Sequence, residues 1–382
     1  MQVVWLAEIK WDYLRTRKQQ LIERRPRDVD VVFFEPYVRG RPNRYDLRDA
    51  AGVRVATIPF AKSVPRGIGR LLMDRAALRR VVDAAALRRV RAHLGAAGVD
   101  PAASVVVVSN VYAIRIATAL RPRALVYDCN DAHAEFPGLP GWTRDYQDET
   151  FRRAGAVVVS SRGLLAAAGA ARGSLDGVHL VGNGVDFPLF HAAADRADSV
   201  PPGDVCVGYV GAVAPWFDFD LVAAMARAQP AWRFEIVGPV LGGAEGDLAR
   251  LAALPNVAVG GAVPHGEVPA VLARFTVGMI PFRRNALTAG VNPNKLYEYL
   301  AAGLPVVATP FSRDVEEAPD VIALAGDAAS FATACRSLAD ARRDPARGLV
   351  LRSRAAEIAR AHDWDTIAGA FWARVVAAER SA

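Results

Sequence analysis

Four consecutive valines, in SVVVVSN at 104–110, limit what this chain can fold into. A strand with water on one face alternates apolar and polar residues. An unbroken apolar run belongs to a strand covered on both faces, as in a parallel sheet flanked by helices. The same signature recurs in VVWLAEI (3–9), DVDVVFFEPY (28–37), VRVATIPF (53–60), ALVYDCND (124–131) and AGAVVVSS (154–161). Helix-like stretches lie between several of these runs, among them RTRKQQLIERR and a long basic stretch at 68–96, so the first half is predicted to be built of βαβ units.

After VGNGVDFPLF (181–190) the composition turns small and polar, and HAAADRADSVPPGD (191–204) is predicted to be a linker. The pattern then restarts: VCVGYVGAV (205–213), a helix at 218–228, WRFEIVGPV (232–240), NVAVGGAV (256–263), a helix at 266–274, VGMIPF (277–282) and PVVAT (305–309). The expectation is two tandem doubly wound α/β domains, 1–190 and 205–360, facing a central cleft. A helix at 361–382 with aromatic anchors is expected to cross back to the first domain. A length of 382 residues suits two domains rather than one core. Open α/β sheets take ligands at the carboxyl ends of their strands.

Several classes are disfavoured. No run of about 18 apolar residues is present to span a bilayer, and the N-terminus is predicted to be the first strand rather than a secretory signal. Cys129, Cys206 and Cys335 are widely spaced, and the six histidines form no HxH or HExxH pair. No metal or cofactor is expected, and the location is expected to be a reducing cytoplasm. Net charge is +7, and residues 62–93 carry nine basic side chains against Asp74 and Asp83. With no interleaved aromatic platform, nucleic acid is not the expected partner. An anionic membrane surface competes with a plain solvated helix for that segment.

One short stretch raises a sharper question. NPNKLYEYLAAGLPVVATP (292–310) reads as N-cap Asn292, Pro293 at the first helical position, exit at Gly303, then a buried strand. Lys295 therefore sits in the first turn, where the helix dipole is already positive. Either it pairs with Glu298 on the surface, worth about 0.2–0.5 kcal/mol, or it converges with the unpaired N–H groups on an anion such as phosphate.

Taken in order, VGNGVDFPLF, GYVGAV, EYLAAGLPVVATP and HDWDTIAGAFW resemble motifs of the GT-B glycosyltransferases of the family 4-like type. WDYLRTRKQQL, VYDCNDAH and NPNKLYEYLAAG are similar to segments of bacterial polysaccharide-assembly enzymes related to the xanthan-pathway glucuronosyltransferases. The resemblance covers nearly the whole chain. It implies transfer of a sugar from a nucleoside diphosphate-sugar, UDP by default, to a saccharide that is lipid-linked in surface polysaccharide assembly. It assigns Lys295 to the diphosphate and Glu298 to the nucleoside. Gly211, Asn292, Tyr297 and Val263 fall in the same donor region, with backbone near Gly261–Val263 facing the base. Two departures stand out: Gly290 occupies the position of an earlier family 4 glutamate, and no Arg and Lys follow GYVGAV. Lys295 is then expected to carry more of the phosphate charge, with Arg283 or Arg284.

An acceptor hydroxyl needs a base, and YDCNDAHAEF offers Asp128, Asp131 and His133 at the end of a buried strand. The resemblance matches Asp131 to the proposed base of an inverting enzyme. Asp128 as a cap and His133 as a carbonyl partner are the structural alternatives. In KWDYLRTRKQQ, Trp11, Asp12, Arg15 and Arg17 suit a sugar or a diphosphate, or else Asp12 is an N-cap and the arginines lie on a helix surface. Trp216 and Phe217 either wall the sugar pocket or pack. Beside a glycosyltransferase, a nucleotide-sugar epimerase of the same fold and a non-catalytic nucleotide-binding subunit stay open.

Overall fold

The four valines, as Val105–Val108 (β5), are buried within an eight-stranded sheet. The computed structural model describes residues 1–12, 15–50, 52–60, 73–192, 194, 205–318 and 320–381. The other strands of this sheet are β1 (Gln2–Leu6), β2 (Asp30–Pro36), β3 (Arg48–Asp49), β4 (Arg54–Ile58), β6 (Ala124–Cys129), β7 (Ala156–Val159) and β8 (Val178–Leu180). Their order is β3-β4-β2-β1-β5-β6-β7-β8. Every pairing is parallel except that of the two-residue β3. The chain starts at β1, builds outward to one side and crosses back to β5, so the switch in direction lies between β1 and β5.

A second sheet contains β9 (Cys206–Val210), β10 (Arg233–Val237), β11 (Val257–Gly260), β12 (Val277–Ile280), β13 (Val306–Ala308) and β14 (Ile322–Leu324), all parallel. Its order, β11-β10-β9-β12-β13-β14, is the doubly wound dinucleotide-fold order with its switch between β9 and β12. The paired Rossmann-like architecture is therefore as the valine runs imply. The short β3, β8 and β14 have no strong sequence signal. The expected strand at 256–263 shrinks to β11, a sheet edge whose Val259 is exposed.

The chain divides into Met1–Val181 with Ala368–Ala382, and Gly182–Ile367. The first boundary falls at Val181, not at 190. The segment after it is bound to the second unit: Val185 bridges Asp363, Phe187 N donates to Asp363 Oδ2 (3.0 Å), and Asn183 N donates to Asn292 Oδ1 (3.1 Å). The expected linker at 191–204 lies mostly outside the described residues. The final helix, Trp364–Arg380, passes into the first unit from Ala368 onward, not from 361. There Phe371 stacks on Trp5 (5.6 Å between centroids), and Trp372 Nε1 donates to Leu21 O at 2.8 Å. Trp372→Phe removes that donor and leaves a buried carbonyl unsatisfied. The expected loss is about 1–3 kcal/mol, read as a lower denaturant midpoint.

The basic stretch becomes a helix, Ala76–Ala96, and residues 62–72 of it lie outside the described residues. It is not a uniformly solvated face. Arg79 is buried over the Trp142 ring (4.7 Å), while Arg80, Arg88, Arg89 and Arg91 are exposed. No helix among the described residues is long and apolar enough to cross a membrane.

Candidate functional site

In the second unit, β9 and β12 separate at their carboxyl ends, where Gly211 follows β9 and Pro281 and Phe282 follow β12. Lys295 reaches this switch point from the helix Asn294–Ala301. Its ammonium lies 4.8 Å from the centroid of Phe282 and 5.3 Å from that of Tyr209. Both rings present a negative π face to it. Gly211, at φ 141°, makes room: a Cβ there would stand 3.0 Å from Lys295 Cε. Its neighbour Gly238, at φ 151°, is under a harder constraint, because a Cβ would come within 2.0 Å of the Gly211 carbonyl oxygen. These are conformations that essentially only glycine adopts, and they bring two strand ends together under the lysine.

Lys295 makes no hydrogen bond or ion pair to any described residue. Glu298 is half-buried and its carboxylate also has none among the described residues, so the i,i+3 surface bridge is not formed. Burial lowers the Lys295 pKa, which Glu298 partly offsets, and burial raises that of Glu298. Each charged form is therefore disfavoured by desolvation, and an incoming anion beside the lysine would relieve this for the ammonium.

Other residues predicted for this region have different duties. Asn292 is not the N-cap. Pro293 occupies that position, and the Asn292 carboxamide accepts from Asn183 N and donates to the Tyr297 hydroxyl (3.1 Å). Tyr297 turns inward and stacks on His362 at 4.0 Å. The helix exit at Gly303 follows the expected pattern, with Leu304 N donating back to Tyr299 O (2.9 Å). Val263 is half-buried against the core beyond the end of β11. Arg283 is exposed, its Nη2 3.5 Å from Asp220, and Arg284 is exposed beside it. Trp216 is half-buried at the edge of the core, whereas Phe217 is fully buried against Tyr209 and is packing.

The first unit gathers charges at its own switch point. Glu8 follows β1, Arg17 and Lys18 begin the helix Arg17–Glu23, Asp128 lies near the end of β6, and Asn130 and Asp131 follow that strand. Arg17 Nε donates to the buried Asp128 Oδ1 at 3.0 Å, so Asp128 is an ion-pair partner rather than a cap, and Arg17 is not a surface residue. Lys18 is buried, pairs with Glu8 and donates to Asn130 Oδ1 at 2.9 Å. Asn130 Nδ2 in turn donates to Asp131 Oδ2 at 2.6 Å. Asp131 is half-buried with no cation paired to it, and burial pushes its pKa up to about 7; Lys18 pulls it down, while Glu8 and Asp128 raise it. His133 begins the next turn, its N–H donating to Asp131 O at 2.9 Å, and its ring lies close enough to Glu8 to help lower that carboxyl. Asp128, Asp131 and His133 thus share one region.

The loop residues chosen on the acceptor side do not all join it. Trp11 is buried edge-on against Phe33 (5.1 Å), so no ring face is offered to a sugar. Asp12 pairs with Arg44, and the helix cap is Thr16. Arg15 pairs with Glu23 on the surface. Behind them the fully buried Glu35 takes Lys10 Nζ (2.9 Å), Trp11 N (2.9 Å), Thr57 Oγ1 (2.7 Å) and Arg44 Nη1 (3.1 Å). That network fixes the loop after β1. Lys18 and Asn130 stand inside the quoted motif stretches without a role of their own there, Glu8 and Glu35 belong to strand-like runs, and the sheet order is what brings Glu8, Lys18 and Asn130 together.

Residues 204–341 match the family model for glycosyl transferases group 1. The putative teichuronic acid biosynthesis glycosyltransferase TuaH of Bacillus subtilis (strain 168) is 36% identical over 135 residues, or 35% of this chain and 34% of that protein. The residues matched by the family model lie within the second unit. The aligned stretch spans only about a third of the length of that relative.

Over nearly its whole length the chain has the GT-B fold. Sucrose-phosphate synthase from Thermosynechococcus elongatus superposes with TM-score 0.74 at 15% identity over 99% of both chains. Anabaena HepE in complex with UDP and glucose does so with TM-score 0.69 at 18% identity, again over 99% of both. The residues matched by the family model include Gly211, Lys295 and Glu298. The Glu8–Asp131 cluster lies outside the matched residues, so its part rests on geometry.

Proposed function

We propose that the chain is a glycosyltransferase moving a sugar from a nucleoside diphosphate-sugar, with UDP favoured, to a saccharide acceptor in bacterial surface polysaccharide assembly. The observation that carries this is the Lys295 ammonium, unpaired and half-buried at the switch point of a group 1 domain. The teichuronic acid relative supports the polysaccharide setting, and HepE, in complex with UDP and glucose, supports the choice of base. The acceptor is a lipid-linked saccharide, and the exposed Arg80, Arg88 and Arg89 support contact with an anionic lipid surface on the cytoplasmic side.

The proposed chemistry is a single displacement with inversion. Asp131 takes the proton of the acceptor hydroxyl as its oxygen attacks the anomeric carbon. The bond from that carbon to the diphosphate oxygen breaks, and the diphosphate leaves with the electron pair. Lys295 and the N–H groups of its helix balance the charge that grows on it, so the contact strengthens toward the transition state. Glu298 accepts from the ribose hydroxyls. The nucleotide-sugar is a substrate, and no metal or cofactor is assigned.

The test uses purified protein, UDP-, GDP- and dTDP-sugars, and a saccharide joined through diphosphate to a short lipid. Acceptor-dependent release of one nucleoside diphosphate, with a product of inverted anomeric configuration, is expected. Interconversion of the sugar without transfer would replace the proposal with an epimerase, and nucleotide binding without turnover would replace it with a binding subunit.

A further inference from the structure

Among the described residues, the carboxylates of Glu8, Asp128 and Asp131 gather with the cations of Arg17 and Lys18. Arg17 is taken by Asp128 and Lys18 by Glu8, so Asp131 is the carboxylate left without a cation of its own. It is nonetheless connected to the second pair. Lys18 has only donors, so the carboxamide of Asn130 must turn its oxygen toward the ammonium, at 2.9 Å. That orientation leaves the Asn130 amino group facing Asp131 Oδ2, at 2.6 Å. The opposite flip would set oxygen against oxygen at Asp131 and NH₂ against ammonium at Lys18. Lys18 is buried and comes from the first turn of a helix, where a cation is disfavoured by the dipole. An acidic partner from another element is what holds it there.

We propose that Glu8 and Lys18 are positioning residues that act through Asn130 to hold the Asp131 carboxylate in one orientation and to set its proton affinity. Lys18 orients the amide, and Glu8 keeps Lys18 from imposing its full charge on Asp131. The other groups facing the cluster among the described residues are Arg17 from the helix, Tyr127, Asp128 and Cys129 from β6, and His133 from the following turn; burial keeps Tyr127 protonated, and Cys129 Sγ also contacts Asp131 O at 3.6 Å. Of these, Arg17 and Asp128 neutralise each other, which leaves the Glu8–Lys18 pair as the balance point. The role of this pair in transfer rests on Asp131 being the base, whereas its effect on the Asp131 proton does not.

The experiment is a pH titration of protein carrying ¹³C at the aspartate carboxyl carbons, read by NMR without any substrate. The resonance absent from Asp131→Asn identifies the residue. Removing an opposite or like charge nearby moves a carboxyl by about one pH unit or more. Glu8→Gln is expected to lower the midpoint by about that amount, and Lys18→Met to raise it by about the same. Lys18→Arg, which can still donate to Asn130 and pair with Glu8, restores most of the wild-type midpoint. The double variant Glu8→Gln/Lys18→Met keeps the cluster folded without a stranded charge and returns close to wild type. Midpoints that stay in place in both single variants, or that move in the opposite sense, overturn the proposal. Midpoints that move as described while Asp131→Asn still transfers sugar leave the pair intact and remove the base.

Discussion

Asp131→Asn is expected to lower kcat for sugar transfer by about 10²–10⁴-fold while leaving nucleotide affinity unchanged. An asparagine keeps the size of the side chain and its hydrogen bond from Asn130 but cannot take up a proton. The fold is not expected to suffer. A carboxyl whose folded pKa is raised, here to about 7, destabilises the folded state once ionised, so the amide variant is at least as stable as wild type at pH 8. Thermal unfolding at pH 8 checks that point beside the rate. The same shift sets the pH dependence. The base acts only when ionised, so kcat/KM falls as pH drops through about 7, approaching tenfold per unit below it. A profile flat from pH 8 to pH 5 would remove Asp131 from the role.

Lys295→Ala is the second large effect. Losing a charge-assisted hydrogen bond to phosphate costs on the order of 1.5–3 kcal/mol, tenfold or more in Kd. Because charge on the leaving diphosphate grows as the bond breaks, kcat falls along with affinity. Lys295→Arg restores little, since the larger planar guanidinium has to fit where Gly211, Tyr209 and Phe282 already touch the lysine stem and head. Steady-state kinetics with a saturating acceptor separate the two losses. A change confined to protein stability would assign Lys295 to packing.

The two sheets were legible because burial on both faces leaves a local mark: four valines in β5, three in β7, and a restart at β9. The helix around Lys295 was legible for a similar reason, since Pro293 and Gly303 bracket it. Its cap was misplaced because Asn292 spends its side chain on Asn183, more than a hundred residues away, and no local pattern encodes that. The domain boundary moved for the same reason: Val185 and Phe187 are held by Asp363. At the acceptor side, Trp11 and Arg15 looked suited to a ligand by residue type, but Glu35 draws the Trp11 backbone inward and Arg15 turns to Glu23. Asp131 was proposed from a motif resemblance, whereas Glu8, Lys18 and Asn130, which hydrogen bonds and an ion pair link to it, come from three separate segments and needed the sheet order to be seen.

The most direct measurement is calorimetric titration of UDP, GDP, dTDP, CDP and ADP into wild type and Lys295→Ala. Binding of one diphosphate, with UDP expected, and at least about tenfold weaker binding in the variant is the predicted result. Absence of binding by all five, or equal affinity in the two proteins, would contradict the donor site at Lys295.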